Sequence, residues 1–326
     1  MSDMPDMPAA SVILIASDGT APLKPILSRL RAQSVASALE LVLAAPSDTD
    51  SLQRALSGMG FWGVRAVEAD LSTSARARCA AIRAARAPVI LLAEDHAFPV
   101  ADTWAERLIH ALDGPFAAAG PVIENANPNS AISWAVMAIE YGPWVSGDTP
   151  YEADFIPGHN SAYRRAVFEA FDNRLEELME AEYMLHREMR TTGARLMVDP
   201  TIRIGHVNHS KVVPAVVLVC TGGRVFAATR AADWSPVRRA TYALAFPAIG
   251  AVRFARMLRA LWSVDTARKP PATAILSCAL LAVANALGEG LGYAFGAGAQ
   301  RRTYANLEYA RWRHIRTGEM EVALSG

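Results

Sequence analysis

Pro88–His96 reads PVILLAEDH, a run of branched aliphatic residues that stops at two carboxylates and an imidazole. An apolar run this short, bounded by polar residues, predicts a strand buried on both faces. The same unit recurs upstream. Ser11–Ala16 (SVILIA) leads through Ser17-Asp18-Gly19 into a helical stretch over Pro22–Ala36, Leu39–Ala44 (LELVLA) precedes a helix over Ser51–Met59, and Val64–Glu68 precedes one over Ala75–Ala85. Strands this hydrophobic, alternating with helices, predict an α/β fold whose mostly parallel sheet is covered on both faces. Ligands of such sheets bind outside the carboxyl ends of the strands. That rule singles out Ser17-Asp18, Ser47-Asp48, Asp70 and Glu94-Asp95-His96. No G-x-G-x-x-G follows the first strand and no G-x-x-x-x-G-K-[ST] occurs, so dinucleotide and P-loop chemistry have no motif here.

The chain has 326 residues, 52% of them apolar and 20% charged, enough for a large core and greasier than an ordinary water-soluble enzyme. Its zero net charge conceals an asymmetry. Residues 1–200 hold 16 Lys and Arg against 26 Asp and Glu, and residues 201–326 hold 16 against 6. Cys79, Cys220 and Cys278 are far apart with no C-x-x-C spacing, which reads as a reducing compartment and no cysteine-held zinc. The opening MSDMPDMPAA has no basic residue ahead of the first apolar run, unlike a signal peptide, and residues 1–10 are expected to be disordered.

After about residue 210 long apolar stretches are punctuated by Arg. On a helical wheel Arg253, Arg256 and Arg259 fall on one side with Phe254, Leu258, Leu261 and Trp262 roughly opposite, the pattern of an interfacial helix. Ala272–Phe295 carries one charge, Glu289, and is flanked by Arg268-Lys269 and Arg301-Arg302. Its length fits a crossing helix or a re-entrant hairpin in one leaflet, and a buried helical hairpin is the bland alternative. Alanine and leucine, rather than stackable aromatics, separate the arginines, which argues against a nucleic-acid partner.

The chemistry converges on Glu94-Asp95-His96, since two carboxylates and an imidazole at a strand end suit a hard or borderline divalent cation. Four further segments fall in a telling order: VILIASDGT, the helix Ala77-Arg78-Cys79-Ala80-Ala81-Ile82, IPGHNSAYRRAVFEAFD (Ile156–Asp172) and EAEYMLHREMRTTGARLMVDP (Glu180–Pro200). Together with LLAEDHAFP and WAERLIHAL they resemble family 2 glycosyltransferases of the GT-A fold over residues 10–210. The resemblance implies a mixed, mostly parallel sheet flanked by helices at 11–210, followed by a helical, membrane-associated region at 211–326.

It also implies roles. Glu94, Asp95 and His96 take the metal position, with Mn2+ or Mg2+ as cofactor and one histidine of GHVNH, His206, as a further ligand. Ser17, Asp18, Asp48, Arg78, Glu94 and Asp95 face a nucleotide-diphosphate sugar donor. Glu182, or Glu180 beside it, is the base that deprotonates the acceptor in a single inverting displacement. Gly158, His159, Asn160, Arg164 and Arg165 bind the acceptor, although Asn160 or Ser161 equally suits a helix N-cap. No Q-x-x-R-W occurs, so one sugar per encounter is expected. GGRVFAATR and ANALGEGLGYAFG resemble the tails of membrane-associated bacterial members, which implies a lipid-linked or glycan acceptor at the cytoplasmic face. The rival expectation is a degenerate member that binds a nucleotide sugar or glycan without turnover, motivated by His96 in place of an acid.

Overall fold

The apolar runs form strands at nearly the expected bounds. In a computed structural model that describes residues 6–264 and 269–319, β1 (Ala10–Ile15), α1 (Lys24–Arg31), β2 (Leu39–Ala45), α2 (Thr49–Leu56), β3 (Gly63–Glu68), α3 (Ser74–Ala84) and β4 (Val89–Leu92) alternate. There follow β5 (Ala97–Pro99), α4 (Trp104–Ala111), β6 (Phe116–Asn125), α5 (Ala131–Tyr141), β7 (Tyr151–Ala153), β8 (Ala162–Arg164), α6 (Arg165–Ala170), α7 (Leu175–Met179), α8 (Glu182–Thr191) and β9 (Arg195–His206). The C-terminal part is helical: α9 (Val212–Arg230), α10 (Pro236–Leu244), α11 (Phe246–Ser263), α12 (Ala274–Phe295) and α13 (Gln300–Tyr309).

Among the described residues the strands form one mixed sheet of order β3-β2-β1-β4-β8-β6-β9-β5, with β7 paired to β9. β3, β2, β1 and β4 are parallel, and the direction reverses at β8. Branched side chains with one preferred rotamer pack the two faces of β1, β2 and β4, which are buried almost throughout. The expected α/β architecture, a mostly parallel sheet flanked by helices and followed by C-terminal helices, is present. Of the N-terminus expected to be disordered, residues 1–5 lie outside the described residues. The ordered chain begins before residue 11: Pro8 is buried, the Ala9 N–H donates to the Ala38 carbonyl at 2.8 Å, and Ala10 opens β1.

The chain divides into two units, Met1–Val122 with Gly147–Gly205, and Ile123–Ser146 with His206–Gly326. The first holds most of the sheet. The second takes in Ile123–Ser146 as well as the chain beyond β9, because α5 packs on α11 and α12. Its interior depends on glycine. A Cβ at Gly288 would land on the Cys220 carbonyl, one at Gly292 on the Arg224 carbonyl, and one at Gly223 within 2.6 Å of the Asn285 carbonyl. These contacts set α9 and α12 side by side and parallel. Asn285 donates from Nδ2 to the Val219 carbonyl at 3.0 Å, and the buried Glu289 pairs with Arg253 of α11. Asn285 and Glu289 of the apolar stretch thus bind neighbouring helices.

The pairing with Glu289 also corrects the wheel: Arg253 turns inward, while Trp262, expected opposite the arginines, is exposed together with Arg256 and Arg259. Arg268, expected to flank the long apolar stretch, lies outside the described residues. Among the described residues two helices, α9 and α12, are long and apolar enough by length and composition to cross a membrane. The sequence had singled out only the second, since Gly222-Gly223-Arg224 interrupts the first.

Since helix contact at this distance excludes any side chain, Gly288→Val should destabilise the second unit by about 1–3 kcal/mol. Urea unfolding should show a lowered midpoint, with Gly114→Ala, which meets nothing within 4 Å, as the neutral control.

Candidate active site

The site follows from strand register. β8 runs antiparallel to β4 with Val89 opposite Arg164 and Leu91 opposite Ala162, and the Leu92 N–H donates to the Ser161 carbonyl at 3.0 Å. Continued one step, this register lays Gly158–Asn160 alongside Ala93–Asp95. On its other edge β4 pairs with β1, Ile13 opposite Leu92. The E-D-H segment therefore emerges at the centre of the sheet, where loops after β1 and before β8 converge.

Backbone geometry lets these loops meet. Asn160 takes a left-handed conformation (φ 62°), tolerable for Asn, and its Nδ2 donates to Glu94 Oε2 at 3.3 Å. Gly120 admits the loop from below, since a Cβ there would meet Pro157 Cδ at 2.7 Å. A Cβ on Gly158 would come within 2.6 Å of the Cβ of Glu182, so the absence of one allows α8 to place that carboxylate flush against the loop. Glu182 opens α8, where the helix dipole favours negative charge.

Arg78 joins the parts. It is 8% exposed, and its Nη2 donates to Glu94 Oε1 at 3.2 Å while its Nη1 donates to Glu182 Oε1 at 3.0 Å. His159 Nδ1 lies 3.3 Å from the same Glu182 oxygen and 3.7 Å from Glu94 Oε1. His96 hydrogen-bonds Asp95 Oδ1 through Nδ1 at 2.6 Å, and its Nε2 lies 3.6 Å from Glu94 Oε2. The structure thus brings together Arg78, Glu94, Asp95, His96, His159, Asn160 and Glu182, from segments up to 104 residues apart.

Other expected residues lie on further elements of the fold. Glu180 caps the C-terminal end of α7, its N–H donating to the Glu177 carbonyl at 3.3 Å. Arg164 donates to the carbonyls of Leu112, Gly114 and Phe116, and Arg165 to Glu169 and the Arg86 carbonyl, so both brace the fold rather than reach the Gly158 loop. Ser17 is half-buried and Asp18 exposed after β1, and the exposed Asp48 sits at the start of α2 with φ 54°. Asp70 is exposed, and its hydrogen bond from Arg76 holds its carboxyl down at about 2. His206 belongs to the second unit, where Nε2 meets the Tyr141 hydroxyl at 3.1 Å and Nδ1 meets Asn208 Oδ1 at 2.9 Å.

Two residues escaped the sequence reading. Beneath the loop, the Tyr163 hydroxyl lies 2.9 Å from His186 Nε2 and 3.3 Å from the Gly158 carbonyl. With His186 donating, the hydroxyl donates in turn to Gly158, so the pair props the loop from inside. Burial pushes the Tyr163 hydroxyl pKa up and the His186 imidazole down to about 4. The available signal was spacing: His186 follows Glu182 by four residues and shares its helix face.

No protein-family model matches the chain, and no curated protein matches it. Among solved structures it is similar to GalNAc-T7 in a crystal structure with UDP, GalNAc and Mn2+ (15% identity, 62% of this chain and 43% of that one, TM-score 0.47). It is also similar to the mannosyltransferase PcManGT from Pyrobaculum calidifontis in complex with GDP-Man and Mn2+ (15% identity, 98% and 87%, TM-score 0.48). A third is S. aureus TarS (14% identity, 76% and 49%, TM-score 0.46). The chain spans less than half the length of GalNAc-T7 and of TarS. All three likenesses are at low identity, with TM-scores below 0.5.

Two outcomes are expected. Arg78→Leu leaves Glu94 buried beside a second carboxylate with no cation between them, and should cost about 3 kcal/mol or more in urea unfolding. His186 should make stability pH-dependent. Its imidazole protonates near 6.5 unfolded but only at about 4 folded, so the unfolded state binds the extra proton first. Stability is then full above about 6.5 and falls by about 3 kcal/mol as pH drops to 4. His186→Gln should flatten that slope when unfolding is measured across the interval.

Proposed function

We propose that the chain is an inverting glycosyltransferase, moving one sugar per encounter from a nucleotide-diphosphate sugar to a membrane-associated or glycan acceptor at the cytoplasmic face of a membrane. The observation that carries this reading is the junction at Arg78, which couples the acidic strand end of β4 to the first carboxylate of α8. Glu182 is the acceptor's base. Its Oε1 is held by Arg78 and His159, which assigns the proton to Oε2, and it takes that proton as the acceptor oxygen attacks the anomeric carbon and the nucleoside diphosphate departs. Gly158, His159 and Asn160 present the acceptor. Ser17, Asp18 and Asp48, at the ends of β1 and β2, lie where the donor's nucleoside would rest.

Glu94, Asp95 and His96 would hold a divalent cation, Mn2+ or Mg2+. The donor set fits: Glu94 Oε2 and His96 Nε2 stand 3.6 Å apart, against about 3 Å for adjacent ligands of one such ion. When bound, the cation would neutralise the diphosphate leaving group.

A thermal-shift panel with UDP, GDP, CDP and TDP, each with Mn2+, Mg2+ or EDTA, tests the donor side. A nucleotide at 100 times its Kd should add about 2.7 kcal/mol of apparent stability, only with metal, and Asp95→Ala or Glu94→Ala should erase the shift. Glu182→Gln should keep the shift and lower transfer by about 10²–10⁴-fold. Transfer at the unsubstituted rate would remove Glu182 as base. Nucleotide-sugar binding with neither hydrolysis nor transfer would favour a non-catalytic binder.

A further inference from the structure

The outward face of α12 is built the wrong way round for water. Leu276, Leu280, Val283, Leu287, Leu291 and Phe295 recur every three or four residues on one face and are exposed, Leu276 at 74% and Phe295 at 75%. The opposite face, packed against other helices, carries Cys278, Asn285, Gly288, Glu289 and Gly292. Leu281 and Tyr293 are the large residues of that inner face; large apolar residues outside and mostly small or polar ones inside match a helix whose surroundings are hydrocarbon. The stripe runs ~30 Å along the helix.

Arginine and tryptophan lie at the level of both ends of the stripe. At the C-terminal end Trp234 stacks on Tyr293 with centroids 5.5 Å apart, and the exposed Arg238 lies over Trp234 at 3.9 Å. α11 runs antiparallel to α12, Phe246 beside Gly290 and Gly250 beside Ala286. Its exposed Arg256, Arg259 and Trp262 therefore lie toward the N-terminal end of the stripe. Between residues 212 and 310 the chain holds eleven Arg and Lys against four Asp and Glu.

The far side of this unit is polar. α13 packs on α9, with Tyr304 against Gly222 near the middle of α9, and exposes Arg302 and Asn306 there. Because α9 runs parallel to α12 at the same level, a crossing bundle would draw α13 into the hydrocarbon.

From these observations we propose that the helical unit docks on one leaflet of an anionic lipid membrane through the α12 stripe, its arginine rim on the headgroups, without crossing the bilayer. This deepens the membrane placement above and is independent of the transfer chemistry.

The test is flotation of the full chain with sealed vesicles of phosphatidylcholine alone or mixed with phosphatidylglycerol. The chain should float with the anionic vesicles, less so as salt rises, and weakly with the neutral ones. Leu276→Glu/Phe295→Glu should abolish flotation at an unchanged melting temperature. Should that variant melt early, Arg256→Glu/Arg259→Glu, on exposed positions, should still remove the preference for anionic vesicles. A cysteine at Ala299→Cys should react with an impermeant maleimide from outside, above the unsubstituted chain; protection until detergent is added would mean crossing and overturn the proposal. Equal binding to neutral vesicles would overturn the headgroup role. Absence of flotation, with a dimer that Leu276→Glu/Phe295→Glu dissociates, would mean that a second copy covers the stripe. Nucleotide-dependent thermal shifts, read in parallel, report the donor site separately.

Discussion

One buried guanidinium holds the first unit's chemistry in place. Glu94 and Glu182 reach the same small volume from a strand end and a helix start, and two carboxylates so placed repel one another strongly where solvent is scarce. Arg78 donates to both. That arrangement constrains everything around it: α3 must present position 78 over the end of β4, α8 must begin at Glu182, and the loop before β8 must carry no side chain at Gly158. The fixed fork of Arg suits this bridging role better than the flexible ammonium of Lys, because the two donor directions are set by one plane.

The interior of the second unit holds polar groups among its apolar ones. Its interior contains an ion pair, Arg253 with Glu289, and an asparagine amide bonded to a helix carbonyl, all admitted by glycines that bring helix backbones close. Polar bonds of this kind fix helix register in a way that interchangeable aliphatic contacts do not. The large apolar side chains of the α12 stripe lie on the outside.

Much of this was legible in the sequence wherever the information is local. Branched runs such as SVILIA and PVILLA specify strands, and the E-D-H and G-H-N segments mark the positions the sheet brings together. Glu182 could be named but not separated from Glu180, because nothing in a run of glutamates marks that α7 is capped at Glu180 while α8 opens at Glu182 against Arg78. The support beneath the loop, Tyr163 with His186, was silent because each residue looks like ordinary core. Arg164 and Arg165 looked like ligand residues from their place beside the loop, yet they bond backbone carbonyls and, in Arg165, the Glu169 carboxylate. The inward turn of Arg253 was invisible because a helical wheel knows nothing of a carboxylate 36 residues later. Ile123–Ser146 joined the helical unit for the same reason, the helices α11 and α12 that α5 packs on lying more than a hundred residues downstream.

The two units are interleaved along the chain, and this bears on biogenesis. β8 and β9 complete the first unit only after Ile123–Ser146 has been made. In the second, the Nδ2 of Asn127 donates to the Asn208 carbonyl at 2.8 Å and to Glu319 at 3.2 Å. A nascent chain emerging from the ribosome therefore holds α5 without α11 and α12 for about a third of its synthesis, with an apolar surface exposed. Contacts of such long sequence separation fold slowly, and during that interval a nearby bilayer or a holding chaperone would shield the helix that the finished protein encloses.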